Sequence, residues 1–265
     1  MLVWTGRGRA LVLAVFAVVV LVVFAAPIAT VFAAALAGSW TGPLPSNLGT
    51  ANLERALSGE QLASLSVSVQ TALLAGAVSL VLGTWAALAG REAPRWWRRL
   101  TDAVFHLPVA VPSVAIGLGV LIAFNERPLL LGGTKWIVIV AHSVLVLAYA
   151  FSAVSAALDR LDPAYRQAAE SLGAGPVRVL CQVTLPLLLP ALGAAAGLAV
   201  ALSMGELGAT IMVYPATWKT LPVSIFALTD RGEVFDAAAG TTVLVLITLL
   251  ALILLGRIKG RAALR

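Results

Sequence analysis

With 265 residues, 60% of them hydrophobic and only 11% charged, at a mean hydropathy of +0.99, this chain has too few charges to cover a water-facing surface, because soluble domains carry roughly 25% charged residues. A soluble globular protein is thereby excluded and lipid must serve as solvent. The lone Cys181 excludes an intramolecular disulfide, and the net charge of +6 is a matter of topology, since Lys and Arg are distributed by side of the membrane.

The sequence predicts an all-α, polytopic membrane protein with six spans, each of the roughly 20 mainly apolar residues that a bilayer requires. The first covers residues 10–37, after Arg7 and Arg9. Its end at Ala35-Leu36-Ala37 resembles a signal cleavage site, but the run is longer than the roughly 7–15 residues of a signal core, so a retained helix is expected. Residues 38–59 form a loop rich in Gly, Pro, Ser and Asn, too short for a folded domain. The second span, 62–89, leads into a compact basic turn at 90–100. The third, 103–124, is interrupted by Pro108 and Pro112, each of which removes a helix hydrogen bond. Carbonyls freed within lipid need partners in the protein or in a water-filled cavity. This span is therefore expected to face its neighbours, with Gly117 and Gly119 admitting another backbone; an ordinary kinked helix is the alternative. Spans four, five and six are expected at 136–157, 186–204 and 237–255.

Basic residues remain on the cytoplasmic side of a membrane. With both termini inside, the inner segments hold Arg7, Arg9, Arg91, Arg95, Arg98, Arg99, Arg160, Arg166, Arg178, Arg257, Lys259, Arg261 and Arg265. The outer segments hold only Arg55, Arg127, Lys135, Lys219 and Arg231. Trp96 and Trp97 fit the inner interface, and Trp40, Trp136 and Trp218 the outer one. No basic face is left for nucleic acid. No internal repeat is visible, and the chain reads as one integral domain, 1–265.

Between spans four and five lies a short charged helix. Asp162 is a suitable N-cap and Pro163 a suitable first helical residue. Tyr165, Ala168, Ala169 and Leu172 follow at helical spacing as one apolar stripe, Arg166 and Glu170 lie four apart on another face, and Gly173 supplies the stop. Such a peg, with small residues on one face, suits the cleft of another protein, since little side-chain entropy is lost on docking. A helix lying on lipid headgroups is the alternative, opposed by Asp159, Asp162 and Glu170. The Ala168-Ala169 pair, Gly173, and Val183-Thr184-Leu185-Pro186 ten residues later resemble the EAA loop of bacterial ABC importer permeases. Gln167 stands where that family usually has Glu. The resemblance extends over about residues 60–257, with the loop at about 158–186, and Leu107-Pro108, Pro112 and Gly117-Leu118-Gly119 resemble the family's third core helix.

The resemblance implies that residues 163–175 form a coupling helix, with Tyr165, Gln167, Ala168, Ala169, Glu170, Leu172 and Gly173 as its contacts to an ATP-binding subunit. It implies two such subunits carrying ATP and Mg, a second permease chain (itself or a homologue), and an extracytoplasmic solute-binding protein. This chain has no Gly-x-x-x-x-Gly-Lys-Ser/Thr phosphate loop, so it is read as a transport subunit with no ATPase site and no cofactor of its own.

In the last third, Gly205-Glu206-Leu207-Gly208-Ala209-Thr210 and Leu228-Thr229-Asp230-Arg231-Gly232 resemble permeases of 2-aminoethylphosphonate systems. The wider branch serves sulfate, molybdate, iron, thiamine and polyamines, which stay open as alternatives. Ser203, Glu206, Thr210, Pro108 and Pro112 are the pathway or gate candidates. Glu206, flanked by glycines near the outer end of span five, is expected either to meet the ammonium of an aminophosphonate or to pair with Lys219 or Arg231 and hold an outer gate. His106 and His142 lack a second ligand at metal spacing and are read as packing residues. An ion-coupled carrier would need buried ionisable groups that the spans almost lack, and a membrane-embedded enzyme would need clustered carboxylates or histidines at one interface.

Overall fold

The computed structural model describes residues 6–91 and 93–257, except the side chain of Arg7. The Arg7 side chain and Lys259, Arg261 and Arg265, used above for orientation, lie outside the described residues.

The described chain is helical, with one isolated antiparallel bridge, Ser39 to Ser46, in place of any sheet. In order come α1 (Gly8–Leu36), α2 (Ala51–Ala56), α3 (Gly59–Arg91), α4 (Arg95–Ala110), α5 (Ser113–Ala123), α6 (Lys135–Asp159), α7 (Pro163–Ser171), α8 (Pro176–Met204), α9 (Gly208–Val213), α10 (Leu221–Asp230) and α11 (Val234–Gly256). Five of them, α1, α3, α6, α8 and α11, are long and apolar enough to cross a membrane. The third expected span is two helices, α4 and α5, bent by 108°. The break falls at Val111-Pro112, both in extended conformation (ψ 135° and 138°), because a residue preceding proline is driven out of the helical region. Pro108 is instead absorbed inside α4.

Prolines also explain two widened turns. Leu21–Ala25 in α1 and Leu180–Thr184 in α8 are π-helical, with Ala26 N–H donating to Leu21 O and Leu185 N–H to Leu180 O. Val23 and Gln182, at their centres, stand four residues before Pro27 and Pro186. A proline ring clashes with the carbonyl four residues back and cannot bond to it, and a π turn gives that carbonyl room. The widened turn joins residues 176–179 to the fifth span, which therefore starts ten residues earlier than expected. Pro190 lies within α8 without such a turn.

The chain packs as two compact units. The first comprises, of the described residues, 6–62 with 224–243. There the buried Asn52 amide donates to Ala35 O (3.1 Å) and Ala37 O (2.8 Å), satisfying the end of α1. Arg55 donates to Asn52 Oδ1 (2.6 Å) and pairs with Asp236 (2.8 Å). Most of α1 exposes its valines, leucines and phenylalanines, as a lipid-facing helix does.

The second unit comprises, of the described residues, 63–223 with 244–257. α6 is its centre, burying Ile137, Val138, Ala141, His142, Phe151 and Val154. Helices approach where a side chain is missing. A Cβ on Gly83 of α3 would stand 2.8 Å from Phe151 N of α6, and one on Gly117 of α5 would stand 2.7 Å from the Cα of Ala209 in α9. Nothing lies within 4 Å of a Cβ on Gly119, so of the two glycines expected to admit a backbone, Gly117 does so within this chain. The 214–220 segment is tied down by Trp218 Nε1 donating to Thr71 (2.9 Å) and Leu221 N donating to Ser68 (2.7 Å). Lys135 lies between the Trp136 and Trp218 rings at 5.2 and 5.3 Å.

Candidate functional site

α8 ends at Gly205, and the chain restarts as α9 at Gly208. Across this break, the His142 ring of α6 reaches Ser203 Oγ with Nδ1 (2.7 Å) and Thr210 Oγ1 with Nε2 (2.8 Å). Thr210 spends its own proton on Glu206 O at 3.2 Å. A hydroxyl has one proton to give, so Thr210 accepts from Nε2–H, and Nδ1 accepts from the Ser203 hydroxyl. The set closes with a neutral imidazole. The chain of bonds fixes both sides of the break to α6, and the Glu206 carboxylate completes it by accepting from Ala209 N–H at 2.7 Å.

This network borders a cavity lined in part by Pro108, Ser113, His142, Tyr149, Ser203 and Glu206. Four of the five pathway candidates, Pro108, Ser203, Glu206 and Thr210, therefore meet, with Thr210 one bond behind the lining. Pro112 acts as the break that turns α5 away from α4. Glu206 forms no ion pair among the described residues; Arg231 is engaged by Glu233 at 3.4 Å. His142 was expected only as packing; it is buried as such, and it also organises this site. His106, by contrast, bonds Asp102 O and Ser152 Oγ, each at 2.8 Å, along the α4–α6 contact.

The second candidate site is α7. Asp162 caps it, accepting from Ala164 N at 2.9 Å. Gly173 ends it at φ +81°, with Ala174 N bonding Ala169 O (3.0 Å) and Gly173 N bonding Glu170 O (2.9 Å). This is a Schellman stop, whose left-handed residue is best supplied by glycine. Arg166 and Glu170 pair at 2.7 Å on the helix surface, and Gln167 O receives the Ser171 hydroxyl. No residue of α7 is buried. Tyr165 is 57% and Leu172 89% exposed, and Ala168 is exposed beside them, while Ala169 is half-buried. The apolar stripe is thus narrower than its spacing suggests: Ala169 turns inward.

A broken, cavity-lining span at one end of α8 and a capped, exposed apolar peg before its other end coincide with a family match. Residues 79–262 match the family described as binding-protein-dependent transport system inner membrane component. The chain belongs to this family. It is a multi-pass bacterial inner membrane protein and the permease component of an ABC importer. Among its relatives is a protein of Salmonella paratyphi A, 46% identical over 98% of both chains, whose name assigns it to a 2-aminoethylphosphonate transport system as permease protein PhnV. Another is the molybdenum transport system permease protein ModB of Escherichia coli K12, 34% identical over 51% of this chain and 66% of its own. The fold is shared with a bacterial ABC transporter that imports the acidic polysaccharide alginate, at a TM-score of 0.72, 17% identity and 95% coverage of both chains. It is also shared with the MetNI methionine ABC transporter, at a TM-score of 0.62 and 18% identity over 77% of this chain and 96% of that one.

In this permease the two sites lie on one helical path, because α8 leads from the segment after α7 to the break at Gly205. Sequence spacing identified α7 and its caps, and the glycines flanking Glu206 lie where the structure has its break. Spacing missed His142, Ser113 and Tyr149. For His142, a polar residue on the buried face of an apolar span was the available signal, and its partners lay more than 60 residues away in sequence.

Proposed function

We propose that this permease imports 2-aminoethylphosphonate or a related organophosphonate, driven by ATP hydrolysed on partner subunits. The observation that carries the substrate is the 46% identity, over 98% of both chains, to a relative named for that solute. The matches to molybdenum permeases are weaker, 34% identity over 51% of this chain and 26% over 70%, which favours the phosphonate over molybdate. The reading assigns six spans, α4 and α5 counted as one, to a single permease domain with both termini cytoplasmic. A second permease chain completes the pathway, and an extracytoplasmic binding protein delivers the solute. Two ATPase subunits, holding ATP and Mg, receive α7 through Tyr165, Gln167, Ala168, Glu170 and Leu172, with Gly173 fixing the stop and Ala169 backing the peg from within.

Alternating access follows if the ATPase dimer presents different geometry to α7 in its open and closed states, since only differential binding shifts an equilibrium. Movement of α7 passes into α8 and so to Ser203, Glu206 and Thr210 at the break, with Pro108 and Pro112 shaping the facing helix. The test is co-purification with neighbouring gene products, followed by solute-dependent ATP hydrolysis and uptake. Stimulation by 2-aminoethylphosphonate with its binding protein is expected. Stimulation by molybdate or sulfate instead would reassign the substrate, and uptake without an ATPase subunit would indicate an ion-coupled carrier.

A further inference from the structure

Glu206 is the one ionisable carboxylate lining its cavity, and no lysine or arginine lines it. One carboxylate oxygen is committed to Ala209 N–H at 2.7 Å, and the group has no ion pair among the described residues. A carboxylate placed in a membrane segment is costly and normally meets a cation or water. The His142 bonds to Ser203 and Thr210 hold both sides of the break that carries it. The Ser113 and Tyr149 hydroxyls line the same cavity, with Ser113 Oγ and Glu206 Oε1 both beside Gly208, and make no hydrogen bond among the described residues.

We propose that this cavity is a solute subsite in which Glu206 binds a primary ammonium group while the Ser113 and Tyr149 hydroxyls donate to the oxyanion at the solute's other end. The inference deepens the importer reading and rests on it. An ammonium offers three donors to a carboxylate in a charge-assisted pair. A phosphate, sulfate or amine-free phosphonate brings only negative charge toward Glu206 and is repelled. The subsite therefore selects zwitterionic aminophosphonates against simple oxyanions.

The test uses the whole transporter, reconstituted in vesicles with its ATPase and binding protein, and reads 2-aminoethylphosphonate imported per ATP hydrolysed. Glu206→Gln keeps an oxygen acceptor for Ala209 N–H and removes only the charge; Glu206→Asp keeps the charge. The expected result is a loss of at least tenfold for Glu206→Gln, with Glu206→Asp within about threefold of wild type. The proposal is overturned if Glu206→Gln stays within twofold of wild type, or if Glu206→Asp is as impaired as Glu206→Gln, which marks a structural role. If the wild-type transporter imports no 2-aminoethylphosphonate, the substrate reading fails first and the subsite falls with it.

Discussion

His142 and Thr210 are joined by a 2.8 Å hydrogen bond from Nε2 to Oγ1, between a central helix and a six-residue helix that follows a break. The same ring holds Ser203 on the other side of the break. One imidazole thus clamps two chain segments that have no continuous helix between them.

Removing that ring should loosen the break. Interhelical hydrogen bonds in membrane proteins are worth about 0.6 kcal/mol on average, with a maximum near 1.7, and a vacated buried site adds a cavity cost. His142→Ala is expected to lower stability by about 2–4 kcal/mol, read as a fall in the unfolding midpoint of the detergent-solubilised protein. His142→Gln, which retains a donor and an acceptor, should recover about half of the loss. Equal stability of His142→Ala and wild type would show that the two hydroxyls find other partners.

Gly117 and Gly119 provide a matched pair. A methyl on Gly117 would stand 2.7 Å from the Ala209 backbone, whereas one on Gly119 meets nothing within 4 Å in this chain. Gly117→Ala should force α5 and α9 apart and cost about 1–3 kcal/mol, as overpacking does. Gly119→Ala should leave the isolated chain's unfolding midpoint unchanged or slightly raised. If both variants behave alike, the α5–α9 contact is not as close as described.

Much of this was legible in the sequence because proline, glycine and charge act locally. Pro112 announced the break, and Asp162 and Gly173 marked the ends of α7. Other features depend on tertiary packing. Helical spacing placed Ala169 with Tyr165, Ala168 and Leu172, but the side that meets the rest of the chain is decided by how α7 lies, and Ala169 turns inward. The start of α4 at Arg95 was hidden because its first turns are charged and exposed. His142 stood out only as a polar residue in an apolar span, and its partners had no local signal: Ser203 and Thr210 are 61 and 68 residues away.

The proposed orientation can be read by thiol labelling in a Cys181→Ser background, since Cys181 is exposed. Cysteines at Ser46 and Ala216, both exposed, should react with an impermeant reagent from outside. A cysteine at Val177, 73% exposed beyond α7, should react only after permeabilisation, and one at the half-buried Ala174 more slowly. Ala263, an equivalent inner position, lies outside the described residues. External labelling at Val177 would invert the topology and remove the basis for ATPase contact at α7.

The coupling role of α7 is best tested on its exposed side. Ala168→Arg and Leu172→Arg place a guanidinium where the peg would enter a partner cleft, and a buried charge without a counter-charge is strongly unfavourable. Neither position is buried in the isolated chain, so the membrane-embedded fold should unfold at the wild-type midpoint. Solute-stimulated ATP hydrolysis should fall at least tenfold, which corresponds to about 1.4 kcal/mol of lost coupling. Ala169→Arg is a less discriminating probe, because the half-buried Ala169 would disturb the chain's own packing as well as any docking. Gly173→Val adds a second route to the same loss: at φ +81° a side chain costs about 1–2 kcal/mol of local strain, which should fray the stop and tilt the peg. If Ala168→Arg and Leu172→Arg both sustain wild-type stimulated hydrolysis in an assembled complex, α7 is not the coupling element, whatever Gly173→Val does.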